Sequence, residues 1–181
     1  MLTIDYAKKF RKANIERMNT SYQNHQDWGF LDWCACLSGE VGEALDAAKK
    51  LYLCADGELF LDAAKESLAK ELADCYTYLD IIAHKQNISE EALLDSSLSK
   101  AKVDYVLAGT KNWSFLAKWT YLASAASDVF GPTITTKIPD RLRYFYWMLS
   151  FFAEQTDIDL ENAITQKFNE VSGRVGSAIR L

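Results

Sequence analysis

Proline and glycine are scarce in this chain, with two prolines and eight glycines among 181 residues. Both residues disfavour helix interiors, so their scarcity leaves long stretches free to form helices. About half of the residues are hydrophobic and a quarter are charged, as in globular proteins. This length is sufficient for one domain with a substantial core. We therefore predict a single all-α domain over residues 1–181.

Long apolar runs are also missing. No stretch of about eighteen consecutive apolar residues occurs, which argues against a membrane-spanning segment. The first nine residues, which end in Lys8 and Lys9, lack the apolar core of a signal peptide. The expected location is therefore the cytoplasm, with no membrane partner.

Basic clusters and cysteine motifs are absent as well. The formal net charge is −5 and no cluster of Lys and Arg offsets it, which argues against a nucleic-acid partner. The four cysteines include no CxxC motif and no Cys/His spacing typical of a metal site. Cys34 and Cys75 fall inside predicted helices, where we expect buried, reduced thiols.

Seven helices are predicted from the amphipathic periodicity and from the turn residues between them. An N-cap is expected within residues 87–90, and residues 107–112 are predicted to form a linker. The predicted helices cover about residues 4–22, 28–52, 61–86, 90–102, 113–130, 140–155, and from 157 or 159 to 172.

Two of these helices each carry a pair of carboxylates spaced three residues apart, Glu40 with Glu43 and Glu71 with Asp74. On a helix, each pair points to one side. At about 100° per residue, Glu40 and Glu71 lie in the middle of the apolar faces of their helices. Glu43 and Asp74 lie at the flanks. Both pairs therefore interrupt the stripes that should pack into the core.

Such pairs ordinarily belong to solvated faces, but their position on apolar stripes argues against that here. A buried carboxylate without a partner is unfavourable by several kcal/mol, and no nearby run of Lys or Arg offers enough partners. A hard divalent cation such as Mg²⁺, Mn²⁺ or Ca²⁺ would neutralise the charge through all-oxygen ligation. We predict a metal site made by Glu40, Glu43, Glu71 and Asp74.

The second half of the chain resembles the first. An offset of seventy residues aligns Leu72, Tyr76, Leu79, Ala83, Ile88 and Glu91 with Leu142, Tyr146, Leu149, Ala153, Ile158 and Glu161. Any two amphipathic helices share some matches, but the shared order of helix, loop and Ile-x-x-Glu helix favours a duplication. Repeat 1 would cover about residues 23–105 and repeat 2 about 113–175. Because Arg141 and Tyr144 align with Glu71 and Asp74, one site per chain is expected.

The carboxylate motifs read Gly39-Glu40-Val41-Gly42-Glu43 and Glu71-Leu72-Ala73-Asp74. Together they resemble the all-α nucleoside triphosphate pyrophosphohydrolase superfamily, which includes MazG-like proteins, dimeric dUTPases and dCTP pyrophosphatases. The resemblance covers about residues 25–105, and the remainder resembles a degenerate second copy. Many relatives have a further Glu where this chain has Gly39. The resemblance implies a MazG-like helical bundle in which the two tandem repeats form a pseudo-dimer around one nucleotide site.

The same resemblance implies an activity. Glu40, Glu43, Glu71 and Asp74 would be both metal ligands and catalytic residues, with Mg²⁺ as the cofactor and Mn²⁺ as an alternative. The substrate would be a nucleoside triphosphate, favoured as a pyrimidine dNTP, which is cleaved to the monophosphate and pyrophosphate. The duplicated chain could act as a monomer or form a homodimer.

Six further residues are predicted to bind the substrate. Lys167 and Arg174 lie at the end of the second repeat, where relatives often have a pair of basic residues that contacts phosphate. Lys50 ends the helix of the first motif, where a lysine also stabilises the helix dipole. Trp28, Tyr78 and His25 are candidates for the base, because aromatic rings stack on bases; core packing is the alternative for Tyr78.

Two other classes of protein are alternatives to this enzyme. Di-iron bundles also gather carboxylates, but they use Glu-x-x-His pairs. Neither His25 nor His84 stands three residues after a glutamate, which argues against that class. A non-catalytic bundle that senses nucleotides is the second alternative, and metal-dependent release of pyrophosphate distinguishes it from the enzyme.

Overall fold

The computed structural model describes residues 1–22, 25–53, 58–95, 103, 108–130 and 137–181. That part of the chain contains helices and no strand, so the all-α prediction is confirmed. The helices are α1 (Ile4–Ser21), α2 (Phe30–Leu53), α3 (Glu58–Lys85), α4 (Glu90–Leu94), α5 (Phe115–Phe130), α6 (Ile138–Gln155) and α7 (Leu160–Arg174).

Side-chain caps set two helix starts that differ from the prediction. The backbone N–H of Gly29 donates to the carboxylate of Asp32 at 2.7 Å, and α2 begins at the next residue. Ser114 Oγ accepts from the N–H of Ala117 at 3.1 Å, and α5 starts directly after Ser114. Such caps satisfy N–H groups that have no partner within the helix. Trp28 and Trp113, predicted as first helical residues, therefore precede their helices.

The helix predicted through residue 102 ends early. α4 stops at Leu94, and Asp95 has the extended backbone angles φ −60° and ψ 121°. Residues 96–102 lie outside the described part of the chain. The predicted linker over residues 107–112 is a turn from Thr110 onward, whereas Ala108 and Gly109 are helical and Leu107 is outside the described residues.

The loops that precede α4 and α7 have the same backbone course. Asn87 and Asp157 have positive φ angles of 55° and 53°, which Asn and Asp tolerate better than other non-glycine residues. After them, the N–H of Ile88 donates to Ala83 O at 2.9 Å, and the N–H of Ile158 donates to Ala153 O at 2.8 Å. Ser89 and Asp159 then cap the two helices.

Helices α2 and α3 pack together, and so do α5 and α6. Helix α2 also contacts α5, α3 contacts α6 and α7, α4 contacts α6, and α1 contacts α3 and α4. One hydrophobic cluster includes side chains of all seven helices. Aromatic rings fill its middle, where Trp119 and Phe152 lie 4.4 Å apart between ring centroids and Phe10 contacts Tyr76.

Helix α1 joins the bundle partly through buried polar side chains. Arg11 Nε donates to Asp80 Oδ1 at 2.7 Å, and Asn14 Nδ2 donates to Asp80 Oδ2 at 3.1 Å. Arg11 also donates to Ile88 O at 2.6 Å. Arg17 donates to the carbonyl oxygen of Phe168 at 2.9 Å and lies over the ring of that residue. These bonds attach α1 to α3, to the loop before α4, and to α7.

The cysteines and the membrane prediction can be checked on the described residues. Cys34 and Cys75 are buried free thiols, as predicted, and Cys36 is a partly buried one; Cys54 lies outside the described residues. In the described part, none of the helices combines the length and the apolar character that a membrane crossing requires.

Candidate metal and nucleotide site

Three of the four predicted carboxylates converge where α2 packs against α3. One carboxylate oxygen each from Glu40, Glu43 and Glu71 lies within 4.8 Å of the others. Glu40 and Glu71 are partly buried and Glu43 is exposed, in agreement with their positions on the helical wheel. We refer to these residues as the glutamate triad. It is the one group of this kind found among the described residues.

Asp74 has a different partner. It lies one turn after Glu71 on α3, and its Oδ2 accepts a hydrogen bond from Lys167 Nζ of α7 at 2.7 Å. Both side chains are mostly buried, with 19% of Asp74 and 14% of Lys167 exposed. The predicted set of four thus divides into a triad of glutamates and a buried ion pair.

The triad accumulates negative charge. Burial, together with the negative charges of Asp74, Glu43 and Glu71, raises the pKa of Glu40 to about 7. Burial also raises the pKa of Glu71, with Lys167 acting in the opposite direction. Burial raises the pKa of Asp74, and the hydrogen bond from Lys167 opposes that increase. The cluster would therefore be stabilised by additional positive charge.

The spacing of the triad suits a divalent cation. Mg²⁺ binds oxygens at about 2.1 Å in octahedral geometry, which separates its ligand oxygens by roughly 3 to 4.2 Å. Oxygens within 4.8 Å reach that spacing through small side-chain rotations. Three carboxylates match the preference of Mg²⁺ and Mn²⁺ for oxygen. The residues present therefore fit the predicted cation.

A cavity of about 370 Å³ begins at Glu40 and Asp74 and extends toward α1 and the loop before α2. Its wall includes Trp28, Trp33 and Tyr78. The rings of Trp28 and Trp33 lie 4.8 Å apart between centroids. This volume and aromatic lining are typical of sites for small organic ligands.

His25 is an unusual part of that wall. It comes from the loop before α2, yet only 6% of it is exposed, and its ring lies edge-on to Trp33 at 5.9 Å. Its Nδ1 atom has no hydrogen-bond partner within the described residues. Buried polar atoms are usually satisfied, so a water or a ligand in the cavity would be the partner of this nitrogen.

The other predicted substrate residues have different surroundings. Tyr78, Trp28 and Arg174 line the cavity. Lys167 does not line the cavity itself but pairs with Asp74, which does. Lys50 is 63% exposed and pairs with Asp46 on its own helix at 2.7 Å, so the structure does not bring it to the cavity.

Sequence analysis missed the contribution of α1. Asn14 and Arg17 line the cavity and are almost fully buried. Arg11, Asn14 and Arg17 recur every three residues on one side of α1. That is the signal that identified Glu40 and Glu71, polar residues on a buried helix face, and it would have identified these residues too.

Comparison of the chain with protein-family models, with curated proteins and with solved structures finds no match. The inference of function therefore depends on the residues of this chain and on their geometry.

Proposed function

We propose that this protein is a Mg²⁺-dependent nucleoside triphosphate pyrophosphohydrolase. It would cleave a (deoxy)nucleoside triphosphate, a pyrimidine dNTP by preference, to the monophosphate and pyrophosphate. One observation carries the proposal. Three glutamate oxygens meet within 4.8 Å beside an aromatic cavity that Glu40 itself lines. The arrangement provides a place for a cation next to a place for a nucleoside.

The glutamate triad would hold the cation, which supplies neutralisation of phosphate charge and activation of water. Glu40 would serve as the general base, because it is the triad member that lines the cavity and so faces the attacking water. Hydrolysis at the α-phosphorus requires such a proton acceptor, because the attacking water loses a proton.

Positive charge lies beside Asp74. Arg17 and Arg174 line the cavity, and both lower the pKa of Asp74 through their charge, as Lys167 does. Lys and Arg are the usual partners of phosphate oxygens. These three residues would contact the triphosphate, with Lys167 and Arg174 supplied by the second half of the chain.

The base would occupy the aromatic part of the cavity. Trp28 is 40% exposed at the mouth and Tyr78 is partly buried, so both offer ring surface to a stacked base. The free Nδ1 of His25 can hydrogen-bond to a base edge. Asn14 Nδ2 is engaged by Asp80 and by Thr77 O, which turns its Oδ1 oxygen toward Arg17.

Helix contacts support the predicted pseudo-dimer. If α2, α3 and α4 correspond to α5, α6 and α7, the pair α2–α3 corresponds to α5–α6. The contact α3–α7 then corresponds to α6–α4, while α2–α5 and α3–α6 each correspond to themselves. This reciprocity is what a two-fold interface requires. Repeats over about residues 23–105 and 113–175 would produce it.

Local geometry supports the same correspondence. Asn87 and Asp157 lie seventy residues apart, the offset that aligned the two halves, and both have φ near +54°. In the second half Arg141 stands in place of Glu71, and it donates to Asp128 O at 3.1 Å. An arginine there is incompatible with a second cation site of the same kind, so the proposal assigns one site to each chain.

The direct test measures pyrophosphate release from a panel of NTPs and dNTPs with Mg²⁺ and with EDTA. We expect Mg²⁺-dependent release from one or a few pyrimidine dNTPs. Absence of release from the whole panel, while Mg²⁺ still raises the melting temperature, would contradict the enzymatic proposal and favour the nucleotide-sensing bundle.

Replacement of Trp28 by Ala tests the base site. Stacking on an aromatic ring is worth about 1–3 kcal/mol per base, so KM should rise roughly 5- to 150-fold with little change in kcat. Trp113→Ala is the matched control, because Trp113 is similarly exposed but packs on Tyr121 away from the cavity. Equal KM values for the two variants would remove Trp28 from the site.

A further inference from the structure

We propose that Lys167 takes the place of a second divalent cation, so that the site binds a single metal ion. This inference rests on the proposed function, because it concerns the same glutamates. It goes beyond that function by assigning the number of ions and the residue that limits it.

The ion pair between Lys167 and Asp74 is the first observation. The two atoms are 2.7 Å apart, and both side chains are more than four-fifths buried. Most ion pairs in the described residues are considerably more exposed, such as Lys50 with Asp46. Lys167 comes from α7, 93 positions after Asp74, so the packing of α7 on α3 maintains the contact.

The second observation is the distribution of charge. Among the described residues, none of the three triad glutamates forms an ion pair, whereas Asp74 has one. Arg174 and Arg17 also act on the charge of Asp74. The charge of Lys167 also lowers the pKa of Glu71 and of Glu40, but its hydrogen bond goes to Asp74, so the triad has no direct cationic partner. The cavity that Glu40 and Asp74 line is also lined by buried His25, whose Nδ1 is unpartnered among the described residues.

The charges indicate how many ions fit. When ionised, four carboxylates against Lys167, Arg17 and Arg174 leave one negative charge, and one divalent cation on the triad is enough to neutralise it. A second cation would need Asp74 as a ligand and would have to separate it from Lys167. A buried ammonium without its partner is strongly unfavourable. Lys167 therefore prevents a second ion from binding.

Titration with Mn²⁺ measures the number of ions bound to each chain, because electron paramagnetic resonance reports the concentration of Mn²⁺ that stays free. We expect one Mn²⁺ per wild-type chain and two per Lys167→Met chain, with the spin-coupled spectrum of an ion pair in the variant. Lys167→Arg keeps the charge and should bind one. Lys65→Met is the matched control, since it removes a lysine bound to an exposed aspartate, Asp157, and should also bind one.

A double variant avoids dependence on the folding of Lys167→Met, in which Asp74 loses its buried partner. Lys167→Met combined with Asp74→Asn removes both charges and should bind one ion. Two ions in the wild type, or one ion in folded Lys167→Met, would overturn the inference while leaving the proposed function intact. Absence of Mn²⁺ binding in the wild type, together with absence of pyrophosphate release, would overturn both.

Discussion

Glu40→Gln is expected to lower Mg²⁺-dependent pyrophosphate release at least about a thousandfold, since metal-assisted charge stabilisation contributes several kcal/mol to such reactions. The substitution keeps the size of the side chain and removes its negative charge. Glu40 is partly buried and is the triad residue that lines the cavity. The measurement is kcat with the best substrate of the panel. Glu66→Gln, an exposed glutamate on α3, is the control and should retain full activity.

The same variant should have the opposite effect on the stability of the metal-free protein. The pKa of Glu40 is about 7 in the folded protein against a reference value of 4.5. The folded state therefore binds the proton more tightly, and the contribution of Glu40 to stability is fully present below pH 4.5. It is lost as the pH rises to about 7. Glutamine does not ionise, so Glu40→Gln removes this loss.

Urea unfolding at pH 5 and pH 8 with EDTA measures the effect. At pH 8 the free energy of unfolding of the variant should exceed that of the wild type by on the order of 1–3 kcal/mol, less than the full pKa shift implies, because Glu40 is only partly buried and solvent screens its charge. At pH 5 this difference should largely disappear. Saturating Mg²⁺ should stabilise the wild type more than the variant, because it binds only the folded triad. A Glu40→Gln protein with near-normal turnover, or one less stable than the wild type at pH 8, would contradict the assignment of Glu40.

The sequence was sufficient to predict features that depend on one helix at a time. Glu40 and Glu71 lie where the 100° period of a helix places them, and the packing of α2 on α3 then brings them together. The helix starts were less predictable. Trp28 continues the apolar pattern of α2, but the bond from Gly29 to Asp32 begins the helix after it.

Features that depend on contacts between distant helices could not be predicted. No local pattern indicates that Lys167 of α7 meets Asp74 of α3, because the pair forms only when these helices pack. The buried histidine is similar, since His25 lies in a polar stretch and becomes enclosed through its contact with Trp33. Both residues were candidates from the resemblance, and their partners came from the structure.

The largest effect on stability is expected at Asp80, which is completely buried and accepts hydrogen bonds from Arg11 and Asn14. Asp80→Asn keeps the shape but leaves the buried guanidinium of Arg11 with Glu90 as its remaining counter-charge, 3.4 Å from Arg11 Nε. Loss of one partner of a buried ion pair is unfavourable by about 3–5 kcal/mol. Because Glu90 remains, urea unfolding at pH 7 should show a decrease toward the lower end of that range.

The chain contains a matched control for this prediction. Lys8 and Glu91 also form an ion pair between α1 and α4, but about half of each side chain is exposed. Glu91→Gln should therefore lower stability much less than Asp80→Asn does, because solvent screens an exposed pair. Arg11→Met combined with Asp80→Asn should be less destabilising than the sum of the two single changes, because neither charge is then left alone. Equal effects of Asp80→Asn and Glu91→Gln would show that burial does not determine the strength of these pairs.

Because Asp80 also holds Asn14 at the cavity wall, a folded Asp80→Asn protein should have a raised KM, whereas Glu91→Gln should not.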